Sequence, residues 1–203
     1  ALNREVDVAT AGSINEVFTE VVVAPSFSAD ALATLQQKKN LRIVRAQKPE
    51  IASVELRSVS GGVLAQTGDE VNDDPSTWRV VSERQPTADQ VALAAFAWQV
   101  CATVSSNAIT IANDFRAVGI GGGQQNRLDA ARLACERAGT RAIGGAAASD
   151  AFFPFRDGLD MLVSAGVQVV VEPGGSVRDD EVIAAANEHG IVLLFTGTRH
   201  FRH

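Results

Sequence analysis

The spacing of apolar and polar positions divides the chain into short blocks of distinct period. Thr10 to Val17 suits a short helix, and the compact run "EVVVAP", Glu20 to Pro25, stopped by proline, predicts a buried strand. Ser28 stands where a helix N-cap would. Ala31, Leu32 and Leu35 supply an apolar face behind it, and Lys38-Lys39 suit the negative end of a helix reaching Lys39. The run "LRIVRA" is the next strand. From Glu50 to Ser82 the period becomes two: "SVELRSVSGGVLAQT" alternates around Gly61-Gly62 and predicts a hairpin, Asp73-Asp74-Pro75 a turn, and "TWRVV" a strand. Thr87 caps a long apolar helix ending near Val104.

The second half alternates regularly. "NAITIA" and "RAVGIG" read as strands around a turn at Asn113-Asp114. The loop Gly121-Gly122-Gly123 leads into a helix from about Asn126 to Ala138. After "FFPFRD" come a helix from Asp157 to Ala165, the strand "VQVVVEP", the loop "GGS", a helix from Asp179 to Glu188 and the strand "IVLLF". Such alternation predicts α/β layers around a largely parallel sheet. No sharp domain boundary is marked, although composition shifts near Pro86.

Length and composition narrow the class. A chain of 203 residues is one large domain or two small ones, and folding at this size buries about 70% of the unfolded surface. With 46% hydrophobic and 21% charged residues, disorder and collagen-like structure are excluded. The net charge is −6, only three of the 18 basic residues are lysines, and no basic run exists. This argues against a nucleic-acid or membrane-surface partner, while leaving room for a local arginine pocket. Cys101 and Cys135 stand 34 positions apart without a CxxC, as reduced core residues of a cytosolic, cytoplasmic protein would. The longest apolar stretch, Val91 to Val104, has 14 residues and includes Gln99, too short for a membrane span. No signal peptide is visible, and the abrupt opening at Ala1 suggests a piece of a longer chain.

Several patterns could hold chemistry. Each glycine loop lies between a strand and a helix, where free N–H groups suit an anion, or where a tight turn simply needs glycine. Neither is a P-loop, and Gln124 takes the place of the last glycine in GxGxxG. Metal motifs are missing: there is no HExxH, and the only histidines are His189, His200 and His203. His189 suits a helix C-terminus, and the tail "RHFRH" reads as a solvated end. Asn107, in an apolar strand, is either a structural bridge or a ligand contact, because a buried carboxamide needs partners. "SDAFFPFRD" is either a core corner or an aromatic wall with a carboxylate at its rim.

The segments "SNAITIA", "GIGGGQQNRLDAARLA", "SDAFFPFRDGLDMLVSAGV", "PGGSVRDDEVIAAANEHGI" and "FTGTRHFRH" together resemble the C-terminal part of the bifunctional AICAR transformylase/IMP cyclohydrolase family. The likeness is near-continuous from about Val104 to His203. "REVDVATA" and "EVVVAPSFSADAL" extend it at the start, whereas residues 49 to 86 resemble the family weakly.

The resemblance implies a cytidine-deaminase-like region of α/β/α layers around a mixed, largely parallel sheet, with residues 1–203 the distal part of the transformylase domain. The activity implied is transfer of a formyl group from 10-formyltetrahydrofolate to the 5-amino group of AICAR in IMP biosynthesis, the cyclohydrolase lying in a separate domain. On the AICAR side it marks Glu20, Asn107, Arg127, Phe152 and Arg199, with Asn107 positioning the reacting amine. On the folate side it marks Leu128, Asp157, Ser176 and Val177, with Phe201 and His203 beside that pocket. It also implies a homodimer with shared active sites, and no catalytic metal, a monovalent cation being left open. The deaminases' zinc signature is missing here. So is the adjacent Lys-His pair on which the family's chemistry centres. The N-terminal remainder of the protein would then be a required partner. Two alternatives are a nucleotide- or folate-binding domain without the reaction, and a fragment that completes a dimer.

Overall fold

Side-chain caps start most helices of the computed structural model, which describes residues 1–47 and 54–202 in two units, Ala1–Gly68 and Asp69–His203. In the first unit the Asp7 carboxylate accepts from Thr10 N and opens α1 (Val8–Asn15), two residues earlier than the apolar pattern predicts. Ser28 caps α2 (Ala29–Leu35) through Ala31 N, as predicted. The helix nevertheless stops short of Lys39, because Gln37 N and Lys38 N bond back three residues, to Thr34 and Leu35, and tighten the last turn. β1 (Val21–Ala24) pairs in parallel with β2 (Arg42–Arg45). Val6, Ala11, Ala24, Ala31 and Leu35 form the unit's small core. β3 (Val54–Val59) and β4 (Gly62–Thr67) make the predicted hairpin, with Gly61 at φ +80° in its turn. The alternation expected over residues 50–53, and His203, lie outside the described residues.

The second unit holds a six-stranded sheet. A 3-10 turn at Pro75–Thr77, capped by Asp74, precedes β5 (Arg79–Val80), and a full capping box of Thr87 and Gln90 starts α3 (Ala88–Cys101). The composition shift near Pro86 marks the entry to this helix. There follow β6 (Ile109–Asn113), β7 (Arg116–Gly121), α4 (Arg127–Ala138), β8 (Ala146–Ser149), α5 (Asp157–Ser164), β9 (Val169–Glu172), α6 (Asp179–Glu188) and β10 (Val192–Phe195). Spatial order is β5-β10-β9-β8-β6-β7. The parallel pairings, β8 with β9 and β9 with β10, are central, and the flanking pairs are antiparallel. Asp114 and Phe115, both at positive φ, form the two-residue turn that makes β6 and β7 antiparallel. β8, the run "AAAS", has no counterpart in the sequence pattern, since alanine marks no strand period.

Alternation along the strands separates two cores. Ile109, Ile111, Ala147, Val170, Leu193 and Phe195 face α4, α5 and α6. Ala146, Ala148, Val169, Val171, Val192 and Leu194 face α3 through Ala94, Ala97, Trp98 and Cys101. The unit is thus an α/β/α sandwich around a mixed sheet. Cys101 is a buried core thiol, pushed up to about 12 by burial and therefore inert, and both cysteines are free. No helix of the described residues is long and apolar enough to cross a membrane.

Candidate functional site

The sheet's register brings distant loops to one edge. Ile109 at the start of β6 lies opposite Gly121 at the end of β7 and Ser149 at the end of β8. Glu172 and Phe195 end β9 and β10 side by side. Asn107, Arg127, Phe152, Ser176 and Arg199 therefore all follow or precede strand ends on the same edge. The carboxyl ends of parallel strands are where α/β sheets place ligands.

Arg127, the first residue of α4, is the centre of this edge. Its guanidinium is buried and donates through Nη1 to Ser149 Oγ (2.8 Å) and Asp150 Oδ1 (2.5 Å), and through Nη2 to Asn107 Oδ1 (2.9 Å). Those bonds occupy three of the five N–H groups of an arginine. Two remain without a protein partner among the described residues. Asp150, also buried, is shared further: Ala108 N (3.1 Å) and Ser106 Oγ donate to it. A buried ion pair whose carboxylate takes three donors on its two oxygens fixes geometry more than it adds stability. Asn107 donates from Nδ2 to Gln124 O (2.9 Å), so its amide ties Arg127 to the first glycine loop. The peptide joining it to Ser106 is cis. Of the two expected readings for Asn107 the bridge is present, and each end of the amide retains capacity for one more bond.

The glycine loops are engaged by the protein itself. A Cβ on Gly121 would meet Ala130 O at 2.0 Å, and one on Gly122 would meet Val104 Cγ1 at 2.3 Å. Gly123, at φ +66°, donates its N–H to Ser105 O (2.6 Å). In the second loop the Asp179 carboxylate accepts from Gly175 N (2.7 Å) and Ser176 N (2.9 Å), where an external anion would otherwise sit. Both loops thus fit the tight-turn reading.

Beneath them lies Glu172, which the sequence reading did not single out. It is buried, accepts from Phe153 N through Oε2 (2.6 Å), and leaves Oε1 without a partner. Burial pushes its carboxyl up to about 8.

Around this polar floor stands an apolar rim. "FFPF" divides its three rings: Phe153 is in the core, while Phe152 and Phe155 are exposed, and Arg178 covers Phe155 at 4.6 Å. The segment is both core corner and wall, and of its aspartates Asp150 is buried beneath while Asp157 is exposed. Leu128, Val177 and Phe201 are exposed as well. Asp157 opens α5 and accepts from Gly158 N (2.7 Å), and Ser176 is half-buried. Arg199 is exposed with its guanidinium 5.2 Å above the Phe201 ring.

The tail is not the solvated end its charges predict. His200 is buried between Asp69 and Asp73, and Arg202 O accepts from Ser106 N (2.8 Å). His189 follows α6 and pairs with Asp160 at 2.8 Å, the structural role expected for it. Glu20 belongs to the first unit, where it lines an open cavity of about 760 Å³ with Phe18, Lys38, Lys39 and Arg42. Among the described residues no His, Cys, Asp and Glu side chains group to hold a metal ion.

The layered α/β domain thus gathers a buried Arg127-Asp150 pair, half-buried Asn107 and several exposed apolar side chains at the strand ends, the edge where α/β sheets place ligands. Residues 1–137 match the family model described as "AICARFT/IMPCHase bienzyme". The chain is 52% identical over its whole length to the bifunctional purine biosynthesis protein PurH of Myxococcus xanthus, and 47% identical to proteins of that name in Streptococcus agalactiae and Streptococcus equi. It covers 41%, 40% and 40% of those proteins. The chain belongs to the AICARFT/IMPCHase bienzyme family, and it spans about two fifths of the length of these relatives.

Proposed function

We propose that residues 1–203 are the distal part of an AICAR transformylase domain, within a cytoplasmic, bifunctional enzyme of purine biosynthesis. The reaction is transfer of the formyl group of 10-formyltetrahydrofolate to the 5-amino group of AICAR. The observation that supports this best is the gathering of Asn107, Arg127, Phe152, Asp157, Ser176 and Arg199 at one sheet edge from five separate loops. In this reading Asn107, Arg127, Phe152 and Arg199 hold AICAR, with the unspent N–H groups of Arg127 and the remaining amide capacity of Asn107 turned to its polar atoms. Leu128, Asp157, Ser176 and Val177 receive the folate, with Phe201 and His203 beside it. Glu20 meets the ribonucleotide in a homodimer with shared sites.

An aromatic amine is a poor nucleophile, so the transfer needs a base for its proton and a donor for the developing oxyanion. The chain has no Lys-His pair, and those groups come from the remainder of the protein. That same absence favours a second reading, a binding fragment that completes a dimer. The test follows tetrahydrofolate release from 10-formyltetrahydrofolate with AICAR present. The chain alone is expected to show only background and the chain joined to the remainder to turn over. Full turnover by the chain alone overturns the split site, and no turnover in the joined protein leaves the binding fragment.

A further inference from the structure

His200 has no place in the roles above, yet it is the most enclosed histidine of the described residues. Its side chain is 2% exposed against 31% for His189. Nδ1 lies 2.8 and 2.9 Å from the two carboxylate oxygens of Asp69, and Nε2 lies 2.6 Å from Asp73 Oδ2. Trp98 of α3 closes another side with its ring centroid 5.4 Å away, and its indole N–H donates to the same Asp73 oxygen at 2.8 Å. A neutral imidazole has one N–H and would turn a lone pair toward one of these carboxylates. Only the imidazolium donates to both.

The electrostatics agree with the geometry. Burial disfavours the charged ring, but hydrogen bonds to Asp73 and Asp69, and then their charges, outweigh it and raise the histidine above its ordinary range. Burial likewise raises Asp73, and the bonds from His200 and Trp98 outweigh it and hold that carboxyl low. Asp69 and Asp73 are the charged groups facing the ring; Trp98, the neighbour from α3, carries no charge.

The position of His200 matters because of what flanks it. With His200 drawn inward, Arg199 and Phe201 on either side of it are both exposed and stacked on each other. One residue further, Arg202 O holds Ser106 N, next to Asn107.

We propose that His200, held as an imidazolium between Asp69 and Asp73, is a positioning residue that clamps the C-terminal segment and presents Arg199 to the nucleotide. The inference rests on the proposed function for Arg199 alone. It adds a specific alkaline limit: when the ring loses its proton, one carboxylate loses its donor and the segment loosens.

The test uses the full-length protein labelled with ¹⁵N in histidine. One buried ring is expected to show two N–H signals at pH 7.5 and to vanish from the spectrum of His200→Gln. Its titration midpoint should coincide with a rise in the KM for AICAR, with kcat changing less. Asp69→Asn removes one facing charge from a half-exposed position, and should move the NMR midpoint and the KM rise to lower pH together. His200→Gln should raise the KM for AICAR about tenfold at pH 7.5, the order expected for losing one charged hydrogen bond at Arg199. A ring with one N–H at pH 7.5, or a KM that ignores the ring's titration, overturns the clamp. If Arg199→Ala raises the KM and His200→Gln does not, the clamp fails while the proposed function stands. If neither raises it, the assignment of Arg199 falls and the clamp falls with it.

Discussion

Glu172 shows how much the site depends on single polar atoms. Burial is the largest influence on its carboxyl, the Phe153 N–H opposes it, Asp179 adds to it and Arg127 opposes it, for a value of about 8. The folded chain therefore binds this proton more tightly than the unfolded chain, whose carboxyl titrates near 4.5. Its contribution to stability is complete below that unfolded value and is lost as pH rises to about 8. Glu172→Gln keeps an acceptor for Phe153 N and removes the titration. The variant should melt with the parent at about pH 4 and above it at about pH 8.5, each kcal/mol corresponding to about 2–4 °C at this size. Parallel melting profiles between those pH values would show that Glu172 does not titrate as described. The sequence offered no sign of this residue, because period and burial report which face of "VVVE" is inside, not what its last side chain meets. Arg127 with Asp150, and His200 with Asp73, likewise pair positions 23 and 127 apart in the chain. The charges of "RHFRH" read as solvated only while their partners were unknown.

At the scale of elements, the first glycine loop is explained by packing. β7 offers Gly119 and Gly121 to α4, where a Cβ would come within 2.1 Å of Ala134 O and 2.0 Å of Ala130 O. The helix answers with Ala130, Ala131, Ala134 and Ala138, all buried. Helix backbone and strand thus approach with almost no side chain between them, which sets Arg127 at the sheet edge. Gly121→Ala must push α4 outward, because the obstacle is backbone. Overpacking of this kind costs about 1–3 kcal/mol, and should also lower AICAR affinity by displacing Arg127. Thermal unfolding with AICAR titration checks both, and a variant equal to the parent in both would show that α4 yields freely. Elements of this kind were largely legible in the sequence: caps at Ser28 and Thr87, the end of α4 at Ala138, the Gly61 turn, and the bounds of α6. β8 was not, since four small residues in the middle of a sheet derive their strand character from neighbours on both sides.

For the whole molecule, the division at Gly68/Asp69 makes the second unit a physical claim that can be isolated. Residues 69–203 contain the complete six-stranded sheet, both of its cores and the partners of Arg127. Asp69 and Asp73, the residues that hold His200, lie at its beginning. By contrast the core cluster of the first unit has, among the described residues, only five buried members, all but Leu35 small or β-branched, a small core to stand alone. A chain of residues 69–203 should therefore fold by itself, with one cooperative melting transition and near-ultraviolet circular dichroism from Trp78 and Trp98, whose rings meet edge-on at 6.2 Å. Starting instead at residue 75 removes both carboxylates from His200 and the Asp73 acceptor from Trp98 while sparing the sheet. That shorter chain should keep its secondary structure, melt lower, and lose hydrogen-exchange protection at Ser106 N, whose acceptor is Arg202 O in the released tail. If residues 69–203 bind hydrophobic dye and show no near-ultraviolet signal, the second unit is not an independent folding unit. If the shorter chain protects Ser106 as well as the longer one, the tail is held by something other than His200.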